Sequence, residues 1–160
     1  MTSVLVGLGL AAACAIGALI AAAGVVAMAF PGRPEPWVAH LAYRAAGATA
    51  GAAASLYSLG FFAVLASEQE FGDGAASIPA PACRDGFDTE TTQGLSHHRS
   101  SYLPLRFDCV RDDGTVYSSG PDYVWMNWAT ASLALATVLL LTIGAVCVGR
   151  PRTRKSAVVG

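Results

Sequence analysis

Apolar positions fall in three long runs separated by polar stretches. No charged residue precedes Arg33, none lies between Ala45 and Ser67, and none lies between Tyr123 and Gly149. Runs this long exceed what a buried helix of a soluble domain needs, and they predict membrane-spanning helices. The first, Val4 to Phe30, covers about 27 residues, or roughly 40 Å as a helix. Pro31, Gly32 and Pro34 end it. The second, Ala45 to Ala66, is dominated by alanine and glycine, and its helix can begin as early as Pro36, a residue suited to a first helical position. Trp37, His40, Leu41 and Arg44 would then form an interfacial turn. The third, Val124 to Val148, is the most hydrophobic, and Tyr123, Trp125 and Trp128 at its start read as an aromatic belt.

The polar stretch 67–122 shows a different period. From Tyr102, Leu103, Leu105, Phe107 and Cys109 alternate with Pro104, Arg106, Asp108 and Val110, as in a half-buried strand. Pro104 lacks a ladder N–H and places that strand at a sheet edge. Asp113-Gly114 is a two-residue hairpin signal, with Thr115-Val116-Tyr117 returning. Cys83 to Phe87 is expected to add a third short strand. Leu105, Phe107, Phe87 and a cystine would form the core, with Trp125 and Phe71 supporting it at the lipid boundary. Glu68 to Ala82, rich in Gly, Ala, Pro and acids, reads as a stalk.

The chain thus divides into helix 1 (4–30), a short loop (31–44), helix 2 (45–66), the segment 67–122, helix 3 (124–148) and a basic tail (149–160). The fold class expected is an all-α membrane protein of three transmembrane helices. A small disulfide-stapled, β-hairpin-containing extracytoplasmic segment lies between helices 2 and 3.

Composition and charge sharpen this picture. Charged residues make up 13% of the 160, about half the usual share, which excludes an ordinary soluble globule. Ten of the eleven acids lie in 67–122 against four arginines, a local net charge of −6, so nucleic acid is not an expected partner. Arg150, Arg152, Arg154 and Lys155 follow the third run, and Arg33 and Arg44 follow the first. By the positive-inside rule both segments are cytoplasmic, which puts the N-terminus and 67–122 outside a plasma membrane. The tail is a stop-transfer signal that can also hold anionic lipid. Cleavage of the first run as a signal peptide, after Ala27-Met28-Ala29, would invert this arrangement. It also lacks a basic n-region, and the run is twice the usual length. Nine arginines to one lysine, with abundant alanine, is the usage of a GC-rich bacterial genome.

Four cysteines separate into two classes. Cys83 and Cys109 share the segment assigned outside, where disulfides persist, and are expected to pair. Closing a loop of about 27 residues would stabilise so small a domain by roughly 3.5 kcal/mol on the chain-entropy model. Cys14 and Cys147 differ in expected depth by about 20 Å and are read as small packing residues.

Candidate chemistry is sparse. No predicted span carries Asp, Glu, Lys, Arg or His, the groups that proton relays and ion pathways use. Thr49, Ser55, Tyr57 and Ser58 supply hydroxyls expected to bond one another or backbone carbonyls. Ala13, Gly17 and Ala21 on the first run, and Gly47, Gly51 and Ser55 on the second, put small residues at every fourth position. Such ridges pack helices together or join copies of the chain. His97 and His98 are weak metal candidates, since a site needs three or four ligands, and no metal or cofactor is expected. Catalytic signatures such as G-x-S-x-G, H-E-x-x-H, the Walker loop and C-x-x-C are missing, so no enzyme is expected.

The sequence therefore points to a small non-enzymatic membrane protein, an accessory or assembly subunit whose outer segment binds a protein partner. The expected contact region runs from Tyr102 to Tyr117 and includes Leu103, Arg106, Asp108, Asp112 and Asp113, with the acids favouring a basic partner. The alternatives are an oligomeric transport or channel component lined by Gly47, Gly51, Ser55 and Tyr57, and an envelope sensor using His97-His98 or the acidic loop.

Overall fold

The computed structural model describes residues 2–30, 32, 36–71, 80–120 and 122–149. The order is α1 (Thr2–Ala27), α2 (Trp37–Phe71), a 3-10 turn (Pro81–Cys83), the one-turn helix α3 (Thr89–Thr92), strands β1 (Leu95–Tyr102), β2 (Leu105–Arg111) and β3 (Val116–Ser118), and α4 (Asp122–Gly149). The basic tail, most of the first loop and most of the stalk lie outside the described residues.

Helices α1, α2 and α4 are long and apolar enough to cross a membrane. Large side chains remain uncovered along them, among them Leu19, Ile20, Leu135 and Val138. So much exposed apolar surface is unstable in water and suggests a membrane protein. The second helix starts at Trp37 and continues past Ala66 to Phe71, outrunning its apolar stretch at both ends. Arg44 does not break it, because its side chain lies over Gly24 of α1, where the missing side chain leaves room.

Small residues set the packing. α2 is the central helix, with α1 on one side and α4 on the other. A Cβ on Gly51 would sit 3.0 Å from both the Ala18 Cβ and the Cys14 carbonyl oxygen, and one on Gly47 would sit 3.5 Å from the Ala21 Cβ. Ser55 Oγ donates to the Ala11 carbonyl at 3.0 Å. The stripe α1 turns to α2 is therefore Ala11, Cys14, Ala18 and Ala21. Of the ridge expected on the first run only Ala21 belongs to it. Ala13 is exposed, and a Cβ on Gly17 would meet nothing within 4 Å. The reason is helical phase: Ala13 and Gly17 each stand one residue, about 100°, from Cys14 and Ala18. On the other side of α2, Tyr43 covers the buried Gly144, and Thr49 Oγ1 and Thr137 Oγ1 share a hydrogen bond of 2.8 Å. Cys147 and Cys14 are free and half-buried.

The segment between α2 and α4 forms an antiparallel sheet of order β1-β2-β3. Its hairpin β2–β3 turns through Asp113-Gly114, with Gly114 at φ +81°. Three expectations are corrected here. Pro104 lies in the tight turn between β1 and β2, after a cis Leu103-Pro104 bond, so β2 is free to be the central strand. Cys83 to Phe87 is not a strand: Pro81 opens a 3-10 turn in which the Cys83 N–H bonds the Ala80 carbonyl at 2.9 Å. The third strand is instead Leu95–Tyr102, a stretch to which the pattern of apolar positions assigns no element.

Cys83 and Cys109 form the expected disulfide, with Cα atoms 5.8 Å apart. The core around it comprises Ala80, Leu105, Phe107 and the cystine, together with Val64 from α2. Tyr57 and Phe61 of α2 pack against this cluster. The sheet thus shares its core with a long helix, which answers the shortage of apolar mass in so short a segment. Phe87 stays half-buried, edge-on to Tyr117 at 5.1 Å. Leu103 is 85% exposed, because the turn swings it out of the strand pattern.

Candidate functional site

Three polar anchors join the sheet to the helices. Asn127, on the first turns of α4, bonds the Leu105 N–H and the Leu105 carbonyl through its two amide atoms, each at 2.9 Å. Its side chain thus imitates a neighbouring strand and satisfies backbone groups that burial would otherwise leave unpaired. Tyr57 OH of α2 donates to the Tyr102 carbonyl at 2.8 Å. Glu68, at the end of α2, accepts hydrogen bonds from Ser100 Oγ and Tyr102 OH. Burial, and then the Glu68 carboxylate, push the Tyr102 hydroxyl from 10.0 up to about 12.

These anchors place the expected contact residues. Tyr102 is occupied by α2, and Tyr117 donates to the Cys83 carbonyl at 2.6 Å, its hydroxyl raised by burial. Asp108 is 6% exposed and pairs through Oδ2 with Arg106 Nη2 at 3.0 Å. Leu103, Arg106, Asp112 and Asp113 are exposed. Asp113 is also structural: its Oδ1 accepts from the Thr115 N–H at 2.9 Å and the hydroxyl at 2.6 Å, which hold its carboxyl below the ordinary range. The named residues do not form one patch. Leu103, Arg106 and Asp108 belong to the helix-proximal end of the sheet. Asp112 and Asp113 belong to the far end, roughly 13 Å along the strand from Asp108 and roughly 20 Å from Arg106.

The far end is acidic. Asp112 and Asp113 share a recess of about 350 Å³ with Glu90, Gln93, Gly94 and Arg111. Arg111 is directed inward, donating from Nε and Nη2 to the Thr91 carbonyl at 2.9 and 2.6 Å and lying 5.6 Å from the Tyr117 ring. Asp88 caps α3 through the Thr91 N–H at 2.9 Å, and its bonds to Thr91 lower its carboxyl.

At the near end lies a larger, partly open cavity of about 720 Å³ between the sheet and α4. Arg106, Asp108 and Ser118 line it on the strand side, and Tyr123, Asn127, Thr130, Ala131 and Ala134 on the helix side. Tyr57, Leu103 and Pro104 close it below. Thr130 Oγ1 is buried and is the one such side-chain atom without a hydrogen-bond partner among the described residues. The sequence held one signal for this cavity, Asn127, the only amide side chain in the third run.

The histidines do not converge. As neighbours on β1 they alternate across the sheet. His98 stacks on the buried Phe107 ring at 5.0 Å, and His97 Nδ1 lies 3.4 Å from Ser96 Oγ. Among the described residues no three His, Cys, Asp or Glu side chains are grouped as metal ligands. Comparison of the chain with protein-family models, curated proteins and solved structures gave no match.

Proposed function

We infer that this chain is a non-enzymatic integral membrane protein whose small lobe binds a protein partner, as an accessory or assembly subunit. The uncharged runs are its spans, and the distribution of Arg and Lys puts the lobe and the N-terminus outside and the tail inside. The observation that carries this reading is the anchoring of the sheet. Asn127, Tyr57 and Glu68 fix the lobe to two helices, so it is a rigid mount rather than a tethered domain. A rigid mount loses little conformational freedom when it docks, which favours a specific partner. The far end carries Glu90 and Asp112 exposed while Arg111 is committed to Thr91, so a basic surface suits it.

The test is affinity recovery from native membranes in mild detergent, comparing wild type with Glu90→Lys/Asp112→Lys. A stoichiometric partner recovered with wild type and lost with the variant supports the reading. Equal recovery with both removes this face, and recovery of the chain alone removes the accessory role. The alternative of an oligomeric channel lined by Gly47, Gly51, Ser55 and Tyr57 has less support, because α1 packs on Gly51 and Ser55 within the chain.

A further inference from the structure

We propose that the cavity between the sheet and α4 is a binding site for one phospholipid with an amine headgroup, of the phosphatidylethanolamine type. The inference rests on the membrane reading of the helices but not on the protein partner. Its volume of about 720 Å³ falls in the range of small-molecule sites. Its position along α4 selects the occupant. From Tyr123 to Ala134 the helix rises about 16 Å, so one end lies at the aromatic boundary and the other within the hydrocarbon layer. A ligand filling both ends must be amphiphilic, and the bilayer supplies such molecules at that depth.

The lining changes character in the order a phospholipid does. Asp108, 6% exposed, lies at the polar end with Oδ2 held by Arg106. A carboxylate accepts about four hydrogen bonds, so it has capacity left for an ammonium group. Arg106 lines the cavity, is 58% exposed in its side chain, and can meet a phosphate. One helical turn below Asn127 is Thr130, whose buried Oγ1 lacks a partner. Its hydroxyl can donate to an ester carbonyl at the glycerol level, which removes the cost of leaving it unsatisfied. Beyond it Ala131 and Ala134 leave the width for an acyl chain. The opposed charges distinguish this headgroup from an anionic one: phosphatidylglycerol has the phosphate but offers Asp108 only neutral hydroxyls, weaker donors to a carboxylate than an ammonium.

Native mass spectrometry of the full chain, released from micelles carrying equal phosphatidylethanolamine and phosphatidylglycerol, tests the proposal. Wild type is expected to retain one phosphatidylethanolamine, in about tenfold preference. Asp108→Asn should bring that preference close to one. Because Asp108→Asn disturbs the ion pair of a buried carboxylate with Arg106, Ala134→Phe serves as a second variant. It fills the acyl end from a position exposed on α4, and it should lose the retained lipid while keeping the Cys83–Cys109 disulfide. Wild type that retains no lipid, or retains both equally, overturns the proposal. So does Ala134→Phe that retains lipid as wild type does. A partner that vanishes with Glu90→Lys/Asp112→Lys while the lipid persists would show the two readings to be separate.

Discussion

Asn127 shows how one side chain can fix the position of a sheet. Its amide meets both backbone groups of Leu105, a fully buried residue. Asn127→Leu keeps the branching of the side chain and removes both bonds, leaving a donor and an acceptor orphaned at about 1–3 kcal/mol each. The expected result is a lobe that unfolds at lower denaturant while α1, α2 and α4 keep their helicity, read by fluorescence and circular dichroism. Tyr102 provides a pH signature at the same scale. Its proton is held more tightly when folded, so its contribution is complete below pH 10.0 and is lost as pH rises through about 12. Phenolate absorbance should show this tyrosine titrating at about 12, and Glu68→Gln should advance it. Asp88 and Asp113 have the opposite sign. Lowered below 3.8 in the fold, they contribute above that pH and lose the contribution as it falls through their folded values. Amide protection at Thr91 and Thr115 should weaken there first.

At the scale of elements, contact between α1 and α2 depends on glycine at one point and not at another. A side chain on Gly51 would run into Ala18 and the Cys14 backbone, which cannot swing aside. Gly51→Leu should therefore separate the helices at a cost of about 1–3 kcal/mol, whereas Gly17→Leu should leave their contact intact. Disulfide crosslinking between cysteines placed at Ala21 and Gly47 reads the difference. The native disulfide ties the 3-10 turn to β2 and crosslinks none of the long helices. Its loss in Cys83→Ser/Cys109→Ser should cost the lobe about 2–5 kcal/mol and leave the helix bundle unchanged.

For the whole molecule, legibility follows the range of the signal. The three long helices are visible because hydropathy over some twenty residues leaves few alternatives. The Asp113-Gly114 hairpin is visible because it rests on a short local pattern, and the disulfide because Cys83 and Cys109 are the two cysteines that share the segment between the second and third apolar runs. β1 was not, because its core-facing positions, His98, Ser100 and Tyr102, look polar. Phe107 and Glu68, far away in sequence, supply what makes them fit. The same limit hid the cavity. It exists because β2 sits beside α4, and only Asn127 hints at that. Pro104 misled for a related reason: a proline reads as an edge strand until a turn is seen to hold it.

The shared core has a consequence for how the protein is made. Val64 and Phe61 leave the ribosome well before Leu105 and Phe107, and Asn127 follows later still. The lobe cannot reach its final form until α2 has formed and the opening turns of α4 have been synthesised. A nascent chain stalled ahead of Asn127 should therefore close its Cys83–Cys109 bond more slowly than one stalled after α4. Assembly of the lobe thereby reports that the last helix has arrived, and a chain cut short in translation would display an unfinished, protease-sensitive lobe.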